Sequence, residues 1–199
     1  QKNFAKFTKS MQRTQAKCSS GSINTNSLSR LIHLAQGKVM EHLDVIIVGA
    51  GISGISAAVH LGKACPERSV GILERRENIG GTWDLFKYPG IRSDSDMHTL
   101  GFSFKPWRAE KSIADGPAIM QYLDETVDEY RLQESIRFSH KVVAAEWCSA
   151  DARWVLTVDQ GEGQKQMSSN FLFMCSGYYS YDQPYDAQIP GIESFSGDV

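Results

Sequence analysis

Residues 43–77 read LDVIIVGAGISGISAAVHLGKACPERSVGILERRE, and the character of the chain changes from Leu43. Val45 to Val48 form a continuous apolar run, as expected for a parallel strand buried on both faces. Gly49, Gly51 and Gly54 follow at the GxGxxG spacing, and Ile52, Ile55, Ala58, Val59 and Leu61 recur at helical intervals. Pro66 ends the helical region, Val70 to Leu73 gives a second strand, and Glu74 closes it. A glycine turn between strand and helix lets backbone approach a pyrophosphate, where the helix N-terminus offers unpaired N–H donors and partial positive charge. Gly49 is placed to make the tight turn, Gly51 the close approach and Gly54 the packing of helix on strand. Glu74 stands near the spacing of about 20 residues at which an acid accepts hydrogen bonds from a ribose. Strand, glycines, helix, strand and acid occur in order, which a chance GxGxxG does not supply.

Beyond the acid lies GGTWDLFKYPGIRSD, Gly80 to Asp94, and no hydrophobic period is sustained from there to Ala114. A long segment without periodicity needs a ligand or a partner to order it. Asp115 is then a suitable N-cap, with Pro117 in the first turn and Ile119, Tyr122, Leu123, Val127 and Tyr130 at helical spacing, which predicts a helix of about four turns. IRFSHKVVAAEW, RWVLTVDQ and QKQMSSNFLFMCSG follow as short strands joined by tight turns, closing on the apolar strand Phe171 to Cys175. The fold class expected is α/β: a Rossmann-like dinucleotide-binding domain with an inserted antiparallel strand meander.

Composition narrows the function classes. At 199 residues and 41% hydrophobic content the chain suffices for one ordinary domain or part of a larger protein. No run approaches the ~18 apolar residues of a membrane span, so the chain reads as soluble, with peripheral membrane association left open. Residues 1–39 hold seven of the 21 lysines and arginines and none of the 23 acids, leaving residues 40–199 net acidic. An acidic body carries no basic footprint for nucleic acid. The four cysteines, Cys18, Cys65, Cys148 and Cys175, show no CxxC spacing, and the histidines no HxxxH pattern. No metal site is expected, and Cys175 reads as core filler. Residues 1–39, rich in Ser, Thr, Asn, Gln and Lys, are expected to be disordered. Their composition fits either a transit peptide or sequence upstream of a start at Met40, so the expected localisation is cytoplasmic, with mitochondrial as the alternative.

The pattern Gly80-Gly81-x-Trp83, then Tyr88-Pro89-Gly90, then Asp94 resembles that of type I Baeyer-Villiger monooxygenases, with which flavin-containing monooxygenases share parts. Phe195-Ser196-Gly197 looks like the start of the same family's FxGxxxH fingerprint. EHLDVIIVGAGISGISAA, YPGIRSDSDMHTLGF and FLFMCSGYYSYD are most similar to the ethionamide-activating subgroup. The resemblance runs from about Met40 to the last residue. It implies FAD and NADPH as cofactors and O2 as co-substrate, acting through a C4a-peroxyflavin on a small ketone or on sulfur in a thioether or thioamide.

Carried to this sequence, the resemblance puts Gly49, Gly51, Ser53 and Gly54 at the FAD pyrophosphate and Glu74 at the adenosine ribose. It sets Gly81, Thr82, Trp83, Asp84 and Leu85 along the flavin side, and Val142 at the adenine through its backbone. Arg92, Ser93 and Asp94 would come nearest the isoalloxazine and the nicotinamide, with Asp94, the one catalytic candidate, paired to an arginine from the other half of the enzyme. Trp83 and Tyr88 also suit anchoring of the loop in the core. Residues 40–199 are thus expected to be an N-terminal FAD-binding domain, truncated before an NADPH domain with a second glycine fingerprint and inactive alone. Two alternatives remain, a dinucleotide-binding module without catalysis and another FAD-dependent oxidoreductase. The latter would need a different pattern after the fingerprint, such as a redox CxxxxC.

Overall fold

The first strand, β1 (Glu41–Val48), extends the apolar run at its N-terminal end, because Glu41 and His42 continue its pairing with a later strand while their side chains face solvent. The computed structural model describes residues 40–179 and 188–197; the expected leader, residues 1–39, lies outside them. Helix α1 (Ile52–Ala64) follows, buries Ile55, Ala58 and Val59, and stops at Cys65, one residue before Pro66. Strand β2 (Val70–Leu73) then lies parallel to β1, with Val45 to Val48 in register with Val70 to Leu73.

The segment 80–114 is less irregular than its sequence suggests. One-turn helices α2 (Thr82–Leu85) and α3 (Met97–Leu100) interrupt it, and Asp96 caps α3 through the Thr99 N–H. Its two arms run antiparallel and hydrogen-bond each other: Ser93 N–H to the Ala114 carbonyl (2.9 Å), Gly116 N–H to Ile91 (3.0 Å) and Met97 N–H to Ser112 (2.7 Å). Backbone pairing of this kind leaves no mark in hydrophobic periodicity. Helix α4 (Gly116–Glu129) starts at Asp115, whose carboxylate accepts from Ala118 N–H at 2.9 Å. It buries Ile119, Tyr122, Leu123, Thr126 and Val127, an i, i+3, i+4, i+7, i+8 stripe. Each large apolar side chain in that stripe contributes ~1.5–3 kcal/mol by leaving water.

The stretch 136–147, which reads as one strand, divides. Ile136–Arg137 (β3) joins β2 in parallel, and Lys141–Cys148 (β4) begins the meander. The break is at Ser139, held at φ 54° with its N–H on the Arg76 carbonyl (3.0 Å), while His140 N–H reaches the Glu74 carbonyl (2.8 Å). Strands β5 (Arg153–Asp159) and β6 (Gln164–Met174) complete a six-stranded sheet in the order β3-β2-β1-β6-β5-β4.

The antiparallel insertion is therefore continuous with the parallel sheet. The first part of β6 pairs with β5 and its later part with β1. Val45, Ile47 and Ile72 pack with α1 and α4 on one face, whereas Ile46 and Leu73 turn to the other, against Leu156, Val158 and Met167. The apolar end of β6 is only partly covered: Phe171 and Phe173, in register with Val45 and Ile47, are 56% and 41% exposed. Helix α1 packs on β1 and β2 rather than on this end of β6, which explains the difference from a fully buried strand.

Candidate functional site

A cleft of about 470 Å³ opens at the C-terminal ends of β1, β2 and β6, where ligands bind in open α/β sheets. The three fingerprint glycines meet different neighbours there. Gly49 has φ +106°, and a Cβ on it would lie 2.5 Å from the Cys175 carbonyl oxygen, so the β1 exit is pressed against the end of β6. A Cβ on Gly54 would lie 1.9 Å from the Gly49 carbonyl oxygen, so α1 sits directly on the turn. Gly51 instead looks across the cleft, its virtual Cβ 3.8 Å from Gly81 Cα. Gly51 is also the N-cap of α1, and no side chain caps the helix. The first-turn N–H groups of such a helix are left to a ligand or to water.

Glu74, 6% exposed, closes the second wall. Its Oε2 accepts from Ala50 N–H (2.8 Å) and its Oε1 from Arg76 N–H (3.0 Å). Each carboxylate oxygen has a second lone pair, so the group can still accept from two hydroxyls. Past Glu74 the cleft is lined by His140, Lys141 and Val142, and in the other direction by Thr82, Trp83, Tyr178 and Tyr179. Cys175 is half-buried at its floor, and burial pushes its thiol pKa up, so it is a poor nucleophile.

The residues singled out from sequence separate into two groups. Gly49, Gly51, Ser53, Glu74, Gly81, Thr82, Trp83 and Val142 line the cleft together. Gly54 supports it from beneath, and Asp84 is buried in an ion pair with Arg76 rather than lining it; Leu85 is also absent from the lining. Arg92, Ser93 and Asp94 lie on the paired arms of segment 80–114, outside the cleft: Ser93 is buried against Ala114, whereas Arg92 and Asp94 are exposed. Tyr88, 59% exposed, does not anchor the loop in the core, whereas Trp83 packs against it.

Sequence reasoning did not single out Arg76, His140, Lys141 or the run Ser176 to Tyr179, all of which line the cleft. The last of these was legible in principle, since it follows the C-terminal end of a parallel strand. Among the described residues no group of three or more His, Cys, Asp or Glu could hold a metal ion, and no helix is long and apolar enough to cross a membrane.

The arrangement fits a dinucleotide. Val142, the buried acid Glu74, a side-chain-free gap between Gly51 and Gly81 at an uncapped helix N-terminus, and the aromatic residues Trp83, Tyr178 and Tyr179 share one cleft. Residues 47–126 match a family profile described as an NAD(P)-binding Rossmann-like domain. The chain is 58% identical over 159 residues to FAD-containing monooxygenase EthA of Mycolicibacterium smegmatis, covering 80% of this chain and 32% of that protein. It is 51% identical over 158 residues to the probable FAD-binding monooxygenase AlmA of Acinetobacter baylyi, covering 79% and 32%. Among solved structures it superposes on OTEMO in complex with FAD and NADP with a TM-score of 0.62 and 28% identity, over 80% of this chain and 30% of that one. The chain spans about a third of the length of the curated relatives it matches.

Proposed function

Because the chain is a homologue of the type I FAD-containing monooxygenases, we propose that its cleft holds FAD and forms the flavin-binding part of an NADPH- and O2-dependent monooxygenase. The observation that carries this reading is the pair of opposed glycines, Gly51 and Gly81, at the uncapped start of α1 with buried Glu74 beside them. Gly49, Gly51 and Ser53 would take the diphosphate, Glu74 the adenosine ribose, and the backbone of Val142 the adenine. Thr82 and Trp83 would border the flavin end. Gly54 and Asp84 act from behind the lining.

FAD held there would supply the redox chemistry, namely NADPH-dependent transfer of one oxygen atom of O2 to a small ketone or sulfur compound, with the other atom leaving as water. The chain's own part is to bind and orient. The first turn of α1 directs its N–H groups at the diphosphate, and Glu74 accepts from the ribose while holding Ala50 and Arg76 in place. Trp83, packed against the core, would shield the flavin end from water on its side. Asp94, exposed on the adjoining arms, is proposed to meet a cationic group supplied from outside residues 40–199, on the nicotinamide side. The NADPH site is proposed to lie outside those residues too.

The test is a titration of the apoprotein with FAD and, separately, with NADP(H), followed by flavin fluorescence and calorimetry. FAD binding at least 100-fold tighter than NADP(H) is expected. Equal or tighter NADP(H) binding in this cleft would refute the flavin assignment and return the site to the broader NAD(P)-binding class.

A further inference from the structure

The turn from Gly80 to Leu85 is held by one side chain from the opposite wall. Arg76 leaves the end of β2 with its backbone already fixed: its N–H donates to Glu74 Oε1 (3.0 Å) and its carbonyl accepts from Ser139 N–H (3.0 Å). Its guanidinium then crosses to the turn, where Nη1 donates to the Gly81 carbonyl at 2.9 Å and Nη2 pairs with the carboxylate of Asp84, which is 8% exposed. Both prongs of the fork are thereby engaged within the turn, so Arg76 lines the cleft without being free to bind an anion as its main task.

Gly81, the residue it grips, has φ +53° and ψ −118°, and its carbonyl also accepts from Leu85 N–H at 3.0 Å. This is the glycine that faces Gly51: a Cβ on Gly81 would stand 3.4 Å from Gly51 Cα. Gly80, beside it, packs against Met120, whose Sδ would lie 2.3 Å from a Cβ at that position. Lys87 cannot replace the arginine, since its Nζ is 3.8 Å from Asp84 and its side chain is 76% exposed.

We propose that Arg76 and Asp84 form a brace that sets the spacing of Gly51 and Gly81 and thereby the affinity of the cleft for a dinucleotide diphosphate. Arg76 is a positioning residue in this arrangement, acting through the Gly81 carbonyl. A lysine cannot do the same, because a point charge on a flexible stem does not hold a carbonyl and a carboxylate in one plane. The inference rests on the flavin-site reading above.

The test uses the polypeptide that carries this chain, as wild type and as Arg76→Ala, Arg76→Lys, Asp84→Asn and the Arg76→Ala/Asp84→Asn double variant. Dissociation constants are measured for FAD and, by competition, for ADP and adenosine. The expected result is a rise of tenfold or more for FAD and ADP in every single variant, with the double variant little worse than Arg76→Ala, and a change of less than twofold for adenosine. Asp84→Asn is isosteric and keeps the outcome readable if Arg76→Ala fails to fold. Unchanged FAD affinity in a folded variant, an equal loss for adenosine, or full rescue by Arg76→Lys overturns the brace. A wild-type protein that binds no FAD overturns the flavin reading, and this inference with it.

Discussion

Replacing two glycines of one fingerprint by alanine should separate folding from cofactor binding. In Gly54→Ala the new methyl would stand 1.9 Å from the Gly49 carbonyl oxygen, 3.0 Å from its carbon and 3.4 Å from Ile47 Cγ2. The obstacle is backbone, so no rotamer change relieves it, and α1 must move off β1 by roughly 1.5 Å to restore ordinary contact. Overpacking of that kind costs about 3 kcal/mol, and the better helix propensity of alanine returns about 1 kcal/mol. A net loss of about 2 kcal/mol lowers Tm by ~4–8 °C in a domain of this size.

Gly51→Ala meets only Gly81 Cα, at 3.8 Å, and Gly51 has φ −80°, which alanine adopts without strain. Restricting the unfolded chain gains about 0.4–1 kcal/mol, and the poorer N-cap loses about as much. Tm should therefore stay within about 2 °C of wild type. The methyl nevertheless fills the gap through which a diphosphate must approach, so FAD affinity should fall tenfold or more. Thermal melts of the apoproteins and FAD titration by fluorescence read the two quantities independently. The reasoning fails if Gly51→Ala binds FAD as wild type does, or if both variants melt alike.

Tyr122 is 4% exposed; its hydroxyl accepts from Phe102 N–H (2.8 Å) and donates to the Lys105 carbonyl (2.5 Å). Tyr122→Phe strands both groups and should cost about 1–3 kcal/mol in denaturant unfolding, a loss that a purely apolar role for this ring would not produce. Asp44 accepts from Ser69 N–H (2.9 Å) and Ser69 Oγ (2.7 Å), which, with Arg68 nearby, lowers its pKa from 3.8 to about 2. A carboxylate with depressed folded pKa contributes stability that is full above its unfolded pKa and lost as pH falls through the interval between the two values. Asp44→Asn should flatten the acid limb of Tm against pH across that interval, and curves that stay parallel to wild type would refute the assignment.

Where side chains answer to a core, the sequence was legible. β1 and β2 were readable as short apolar runs, and α1 and α4 because burial imposes a period: 119, 122, 123, 126 and 127 fall on one face. The glycines were legible for a different reason, since a strand followed by glycines and a helix admits few geometries. What stayed hidden was held by backbone hydrogen bonds or by single polar side chains. Nothing in IRFSHKVVAAEW announces that Ser139 turns to the left-handed region and divides β3 from β4, because the partners that require it, the Arg76 and Glu74 carbonyls, lie far away in sequence. Arg76 was hidden likewise: a second arginine after an acid looks like a solvated charge until the fold brings Gly81 and Asp84 within its reach.

Glu74 shows how these local facts combine into a site. The sequence pattern recommends an acid there for a ribose, and a solvent-facing acid at the end of β2 would satisfy that pattern. In the structure the residue is buried and does three further things: its side chain holds the Ala50 N–H at the glycine turn and the Arg76 N–H at the start of the brace, and its carbonyl holds His140 at the mouth of the meander. A glutamine would keep the shape but present an NH2 to one of those two N–H donors, which cannot accept a hydrogen bond. Either the turn before α1 or the Arg76 end of the brace would then lose its support, while the backbone carbonyl of residue 74 would still hold His140. Acid chemistry at this position is thus required by the backbone of the cleft before any ligand enters it, and the ribose would find an acceptor already oriented.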